Sequence, residues 1–300
     1  MNPTSLNRNK MENLKQIALE LNLDLIFIVE TWFTETSITN LHGYDCYRKD
    51  RIGKRGGGVC IYVRSTHDTH LIEDHTLIDK EIEQIWIRLS SRDHKLLIGC
   101  VYRPPDSSHS YTQGIINSLE LASSMCQSDS YKDLIICGDF NFPDLNWKSH
   151  EYIADLTGNS QSSKFAKCII ENHLHQAIKE PSFQKADFSL SNTLDLVITN
   201  REINITDIVF LPPLNKCTQA HIPIQFKYEI FVRVSKTHRL ITRFNYKRGD
   251  YIGLNRYFSS INWMNMLKYE DSSLNSGYDR FMEIINIGIK KYIPKYPSER

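Results

Sequence analysis

The chain has 300 residues, 41% of them hydrophobic and 24% charged, a balance that suits a soluble globular protein and excludes disorder over most of the length. No apolar run approaches the roughly 18 residues of a membrane-spanning helix, and the polar start MNPTSLNRNK lacks a signal-peptide core. An intracellular protein is therefore expected, nuclear or cytoplasmic, not secreted and with no membrane partner.

In chain order, MENLKQIALELN (11–22) spaces Met11, Leu14, Ile17, Ala18 and Leu21 as a surface helix does. LDLIFIVE then reads as a buried strand whose end presents Glu30. Residues 43–55 are basic and turn-like, and Gly56, Gly57 and Gly58 lead into the alternating strand VCIYVR. IEQIWIRLS (82–90) and KLLIGCVYRPP (95–105) read as two strands, the second stopped by Pro104 and Pro105 just after Tyr102. A helix is expected over 111–127, and DLIICGDFNFP (133–143) is a buried strand that breaks at Gly138. A helix over 160–176 precedes the strands TLDLVITN (193–200), IVFLPP (208–213) and HIPIQFKYEI (221–230). Strands outnumber helices, which points to two packed, mostly antiparallel sheets with helices outside, an α/β (α+β) sandwich.

The formal net charge of +1 is uneven: residues 1–229 carry 23 Lys and Arg against 29 Asp and Glu, whereas residues 230–300 carry 13 against 6. A domain over 1–229 and a basic extension over 230–300 are expected, the latter with a helix over 276–293 that Gly288 interrupts. A basic tail on an acidic body suits a polyanion partner. The seven cysteines include no C-x-x-C pair, so a zinc site is poorly supported. Cys60, Cys100 and Cys137 read as small core residues.

Several apolar strands end in residues that could handle a phosphodiester: Glu30, Tyr102, the pair Asp139 and Asn141, and His221, with Asp195 inside TLDLVIT. Such chemistry needs a cation to neutralise the phosphate, a base for water and a group that stabilises the leaving oxygen. Carboxylates on a rigid sheet rim fix that geometry.

ETW (30–32), GGGV (56–59), VYRPP (101–105), GDFN (138–141), LDLVITN (194–200) and HIPI (221–224) resemble, in sequence and spacing, the endonuclease/exonuclease/phosphatase superfamily. The nearest likeness is to the endonuclease of non-LTR retrotransposons, and it spans about residues 2–228. The resemblance implies a four-layer, DNase I-like α/β sandwich that nicks DNA with Mg²⁺, or Mn²⁺ in its place, and leaves a 3′-hydroxyl. It implies that Glu30 and Asn2 hold the metal. Asp139 would orient or deprotonate the attacking water, and Asn141 would hold that water or the phosphate. Tyr102 and His221 would contact phosphate, and Asp195 would orient His221. Arg103, Ser182 and Asn192 are further substrate-binding candidates. The stretch FNYKRGDYIGLNRYFSSINW (244–263) resembles the linker to a reverse transcriptase, and RNA is a further candidate partner of the tail.

Two departures bear on activity. The family usually carries Ser-Asp-His where Gln219, Ala220 and His221 stand. Loss of such an acid lowers rates by about 10²–10⁴, so impaired nicking is expected. The strand that normally precedes the asparagine matched by Asn2 is absent, so a truncated first strand is expected. An inactive nucleic-acid-binding remnant and a phosphatase of small phosphorylated molecules are the alternatives. GGGV and YRPP favour the retroelement branch over the phosphatase.

Overall fold

A computed structural model describes residues 1–74, 77, 79–91, 94–148, 158–214, 218–230, 244–266 and 274–295. The chain forms two compact units, 1–232 and 233–300.

The larger unit opens with α1 (Arg8–Glu20), started by the Asn7 side chain accepting from the Lys10 amide. Its apolar stripe Met11, Leu14 and Ala18 packs on Ile26, Ile28, Cys60 and Tyr62. Those four belong to the antiparallel sheet of β1 (Leu25–Val29), β2 (Tyr44–Lys49) and β3 (Val59–Arg64), in the order β1-β3-β2. The other face of this sheet, with Val29, Val59, Ile61 and Val63, meets a second sheet through Ile87, Ile98, Cys100, Ile135 and Val197.

That second sheet comprises β4 (Asp68–Leu71), β5 (Glu83–Ser91), β6 (His94–Tyr102), β7 (Asp133–Asp139), β8 (His175–Gln176) and β10 (Asp195–Thr199), in the order β4-β5-β6-β7-β10-β8. Only β6 and β7 are parallel there among the described pairings. They are joined across the outer face by α2 (His109–Gln127), the crossover a parallel pair requires. With α3 (Gln161–Glu171), α2 covers that face through Ile115, Leu119, Phe165 and Ile169. Two short ribbons complete the unit: β9 (Phe183–Gln184) with β12 (Ala220–His221), and β11 (Ile205–Phe210) with β13 (Ile224–Tyr228). The layers run helix, sheet, sheet, helix, as the sequence implied.

The parallel register sets Tyr102 beside Asp139, and the antiparallel register sets Asp195 beside Asp139. Three site candidates thus share one rim of one sheet. Gly138 is fixed by this neighbour relation, because a Cβ there would overlap the Val101 carbonyl oxygen.

Three local expectations are corrected. Residues 44–49 form β2, because pairing with the buried β3 overrides their polar composition. The helix expected to reach residue 176 ends at Glu171, where Asn172 caps it and His173 takes φ of 54°. The strand expected over 221–230 is split between β12 and β13 around Pro223, which has no amide N–H for a ladder.

In the smaller unit, α4 (Tyr251–Ser259), α5 (Trp263–Met266) and α6 (Leu274–Tyr292) meet through aromatic rings. Centroids lie 5.9 Å apart for Tyr257 and Tyr292 and 5.7 Å apart for Trp263 and Phe281. Gly288 leaves room on α6 for the Phe258 ring, which would stand 2.9 Å from a Cβ at that position.

Candidate active site

At the rim, Asp139 closes β7 with no exposed surface. Glu30 follows β1 with φ of 52°, Trp32 has φ of 54° and Asn141 has φ of 49°. Non-glycine residues in this left-handed region are strained, and such strain gathers at functional sites. The segment before α1 runs beside β1: Met1 donates its amino group to the Phe27 carbonyl at 2.8 Å, and the Val29 amide donates to Met1 at 3.1 Å. The Ser5 amide donates to the Glu30 carbonyl at 2.9 Å. This docking puts Asn2, 4% exposed, into the site.

Asn2 is held at both ends of its side-chain amide. Its Oδ1 accepts from the Thr4 amide at 2.9 Å, which turns Nδ2 inward. Nδ2 then donates to Glu30 Oε1 at 3.2 Å and Asp139 Oδ2 at 2.9 Å, and lies 3.3 Å from His221 Nε2. Asn2 thereby holds the two carboxylates on one point. Tyr102 donates its hydroxyl to the same Glu30 Oε1 at 2.7 Å, and Trp32 Nε1 donates to Oε2 at 3.1 Å. Trp32 was not singled out from the sequence, although it lies in the ETW motif.

His221 and Asp195 form a pair, with Nδ1 2.7 Å from Asp195 Oδ2. Ser182, fully buried, donates to the same Oδ2 at 2.7 Å and accepts the Leu194 and Asp195 amides. It therefore acts behind Asp195 rather than on a substrate surface. His221 Nε2 faces Asp139 Oδ2 at 3.6 Å, and Phe183 meets the imidazole edge-on at 4.9 Å.

Arg103, expected to touch substrate, is buried and committed inward. It donates to the Asn141 carbonyl at 2.9 Å, Thr112 Oγ1 at 3.1 Å and Gln161 Oε1 at 2.9 Å, and lies over the Phe142 ring. Asn141 returns its side-chain amide to the Arg103 carbonyl at 2.8 Å. Asn192 is exposed and donates to the Pro143 carbonyl, tying the segment after GDFN to the turn before β10.

Burial raises the Asp139 carboxyl to about 7, helped by Asp195 and Glu30 and opposed by His221 and Asn2. Burial pulls His221 down, but Asp195, Asp139 and Glu30 outweigh it and hold the imidazole up at about 9. Burial, then the bond to Glu30, raises the Tyr102 hydroxyl far above its ordinary value. At neutral pH the site therefore offers a protonated imidazole, a neutral phenol and a carboxyl poised near pH 7.

A divalent cation fits this donor set. Glu30 and Asp139 turn like-charged oxygens onto one amide, a crowding that a cation relieves. Carboxylate oxygens are the ligands Mg²⁺ prefers. Among the described residues, Asp139, Asp195 and His221 also bring ligand atoms within 4.8 Å of one another.

Residues 96–224 match the family described as endonuclease-reverse transcriptase. That match lies within the larger unit, which is similar in fold to solved structures of this type. One of them is the endonuclease domain of TRAS1, a telomere-specific non-LTR retrotransposon. That match has a TM-score of 0.57 and 16% identity, over 77% of this chain and 97% of that one. The unit is also similar to the 3′ phosphatase NExo from Neisseria bound to a product DNA hairpin, with a TM-score of 0.57 and 13% identity over 76% and 97% of the two chains. An AP endonuclease from Archaeoglobus fulgidus matches with a TM-score of 0.55 and 16% identity over 76% and 97%. No curated protein matches the sequence.

Proposed function

We propose that the larger unit is an endonuclease/exonuclease/phosphatase domain acting as a Mg²⁺-dependent DNA-nicking endonuclease of retrotransposon type, weakened by Ala220. The observation that carries this reading is the convergence of Glu30 and Asp139 on the Asn2 amide beside the His221–Asp195 pair. When bound by Glu30 and Asp139, Mg²⁺ would neutralise charge on the phosphate.

The protein's own groups supply the rest. Asp139 accepts the Asn141 amide on Oδ1 at 3.2 Å and the Asn2 side-chain amide on Oδ2 at 2.9 Å, which fixes the carboxylate that takes a proton from water. His221, kept protonated and oriented by Asp195, donates from Nε2 to a phosphate oxygen. Tyr102 holds Glu30 in place by its hydroxyl. DNA is the proposed substrate; the TRAS1 and NExo likenesses support that choice. The basic unit 233–300 would add contacts to DNA or RNA phosphates.

The test is relaxation of supercoiled plasmid that requires Mg²⁺, stops with EDTA and leaves ends a DNA polymerase extends. A chain that binds DNA and never nicks it, under any divalent ion, would be an inactive remnant instead.

A further inference from the structure

Glu83 opens β5 directly opposite Tyr102 in register, is 9% exposed, and lies outside the residues placed in the chemistry above. Its Oε1 accepts the forked guanidinium of Arg51, from Nε at 2.7 Å and also from Nη2. Its Oε2 accepts the Gly58 amide. The backbone of Gly57 packs so closely on this pair that a Cβ would overlap Glu83 Oε2 and the Arg51 guanidinium. Gly57 and Gly58, with φ of 66° and 85°, can take up this path because they lack side chains.

Two routes lead from Glu83 to Glu30. Along the backbone, the Gly58 carbonyl accepts the Thr31 amide at 3.2 Å, and the Gly57 carbonyl accepts the Trp32 amide at 2.9 Å. These are the two residues after Glu30, so the clamped glycines fix the strained turn that aims its carboxylate. Along the side chains, the Arg51 guanidinium lies 5.8 Å from the centre of the Tyr102 ring, whose hydroxyl donates to Glu30 Oε1. Tyr111 adds a tie, accepting the Glu83 amide at 2.8 Å and donating to the Tyr102 carbonyl at 3.0 Å.

We propose that Glu83 is a positioning residue for the metal site, setting the Glu30 carboxylate through the Gly57–Gly58 backbone and through Arg51 and Tyr102. Stability alone does not account for such a pair, because buried ion pairs are commonly neutral or worse than apolar residues of the same size. A fixed turn at a ligand does. The inference rests on the metal reading of Glu30 given above.

The experiment measures Glu83→Gln against the unaltered full chain in two ways. Free Mn²⁺ seen by electron paramagnetic resonance gives the ion affinity without any need for activity. Amide hydrogen exchange at Thr31 and Trp32, with Ile136 of β7 as internal control, reports the turn. The expected result is Mn²⁺ affinity about tenfold weaker, the scale of outer-shell substitutions at metal sites, with faster exchange at Thr31 and Trp32 and unchanged exchange at Ile136. Unchanged exchange at those two amides together with unchanged Mn²⁺ affinity overturns the proposal. If the unaltered chain binds no Mn²⁺, the metal reading fails, and the exchange at Thr31 and Trp32 alone decides the positioning. Should Glu83→Gln not fold, Arg51→Lys carries the same test, since it keeps the charge and removes the fork.

Discussion

His221 and Asp195 are joined at 2.7 Å through Nδ1 and Oδ2, so that Nε2, the other ring nitrogen, is turned toward Asp139. Asp195→Asn removes the charge that does most to hold the imidazole up. The His221 pKa is then expected to fall from about 9 toward its ordinary value, followed by NMR titration of the ring. Nicking should drop by about 10²-fold or more, with the loss greatest on the alkaline side. A His221 titration unchanged in Asp195→Asn would remove Asp195 from its orienting role.

The metal-free protein should lose stability as pH rises. Asp139 sits at about 7 against an ordinary value of 3.8, and His221 at about 9 against 6.5. Both groups bind protons more tightly when folded. The contribution of Asp139 is full below about 3.8 and lost as pH passes about 7; that of His221 is full below 6.5 and lost as pH passes about 9. In EDTA, the melting temperature should therefore decline between pH 5 and about 9, and Asp139→Asn should flatten the lower part of that decline. A melting temperature that rises across this window in EDTA would mean that neither group binds its proton more tightly in the folded protein.

Asp139→Ala should abolish nicking while DNA affinity stays within about threefold of the parent, because the carboxylate is fully buried and offers no surface to flanking phosphates. Gel-based nicking and fluorescence anisotropy on the same preparation measure both. Cleavage by Asp139→Ala at the parental rate would overturn its assignment.

Replacing Lys247, Arg248, Lys290 and Lys291 with Gln tests the basic unit, where all four are exposed. DNA and RNA binding should weaken, and the slope of log affinity against log salt should become shallower by about 1 or more. An unchanged slope assigns those cations to solvated helix faces.

Most of the site could be read in the sequence, because strand-end polar residues after apolar runs mark a sheet rim. Glu30, Tyr102, Asp139 and His221 meet there because registers between distant strands bring them together. What could not be read was orientation. Arg103 resembles a phosphate grip until the turn after β7 takes its donors. Strand β2 was hidden because its partner β3, and not its own composition, makes it a strand.

Whether this rim cleaves a phosphodiester with a divalent cation is read from supercoiled-plasmid nicking by the chain and by Ala220→Asp, each in Mg²⁺ and in EDTA. Weak relaxation by the chain is expected in Mg²⁺ and none in EDTA. The rate for Ala220→Asp should be at least about tenfold higher, a gain of roughly 1.4 kcal/mol at the transition state. Relaxation that persists in EDTA, or a folded Ala220→Asp protein that never nicks with Mg²⁺, would contradict metal-dependent cleavage at this rim.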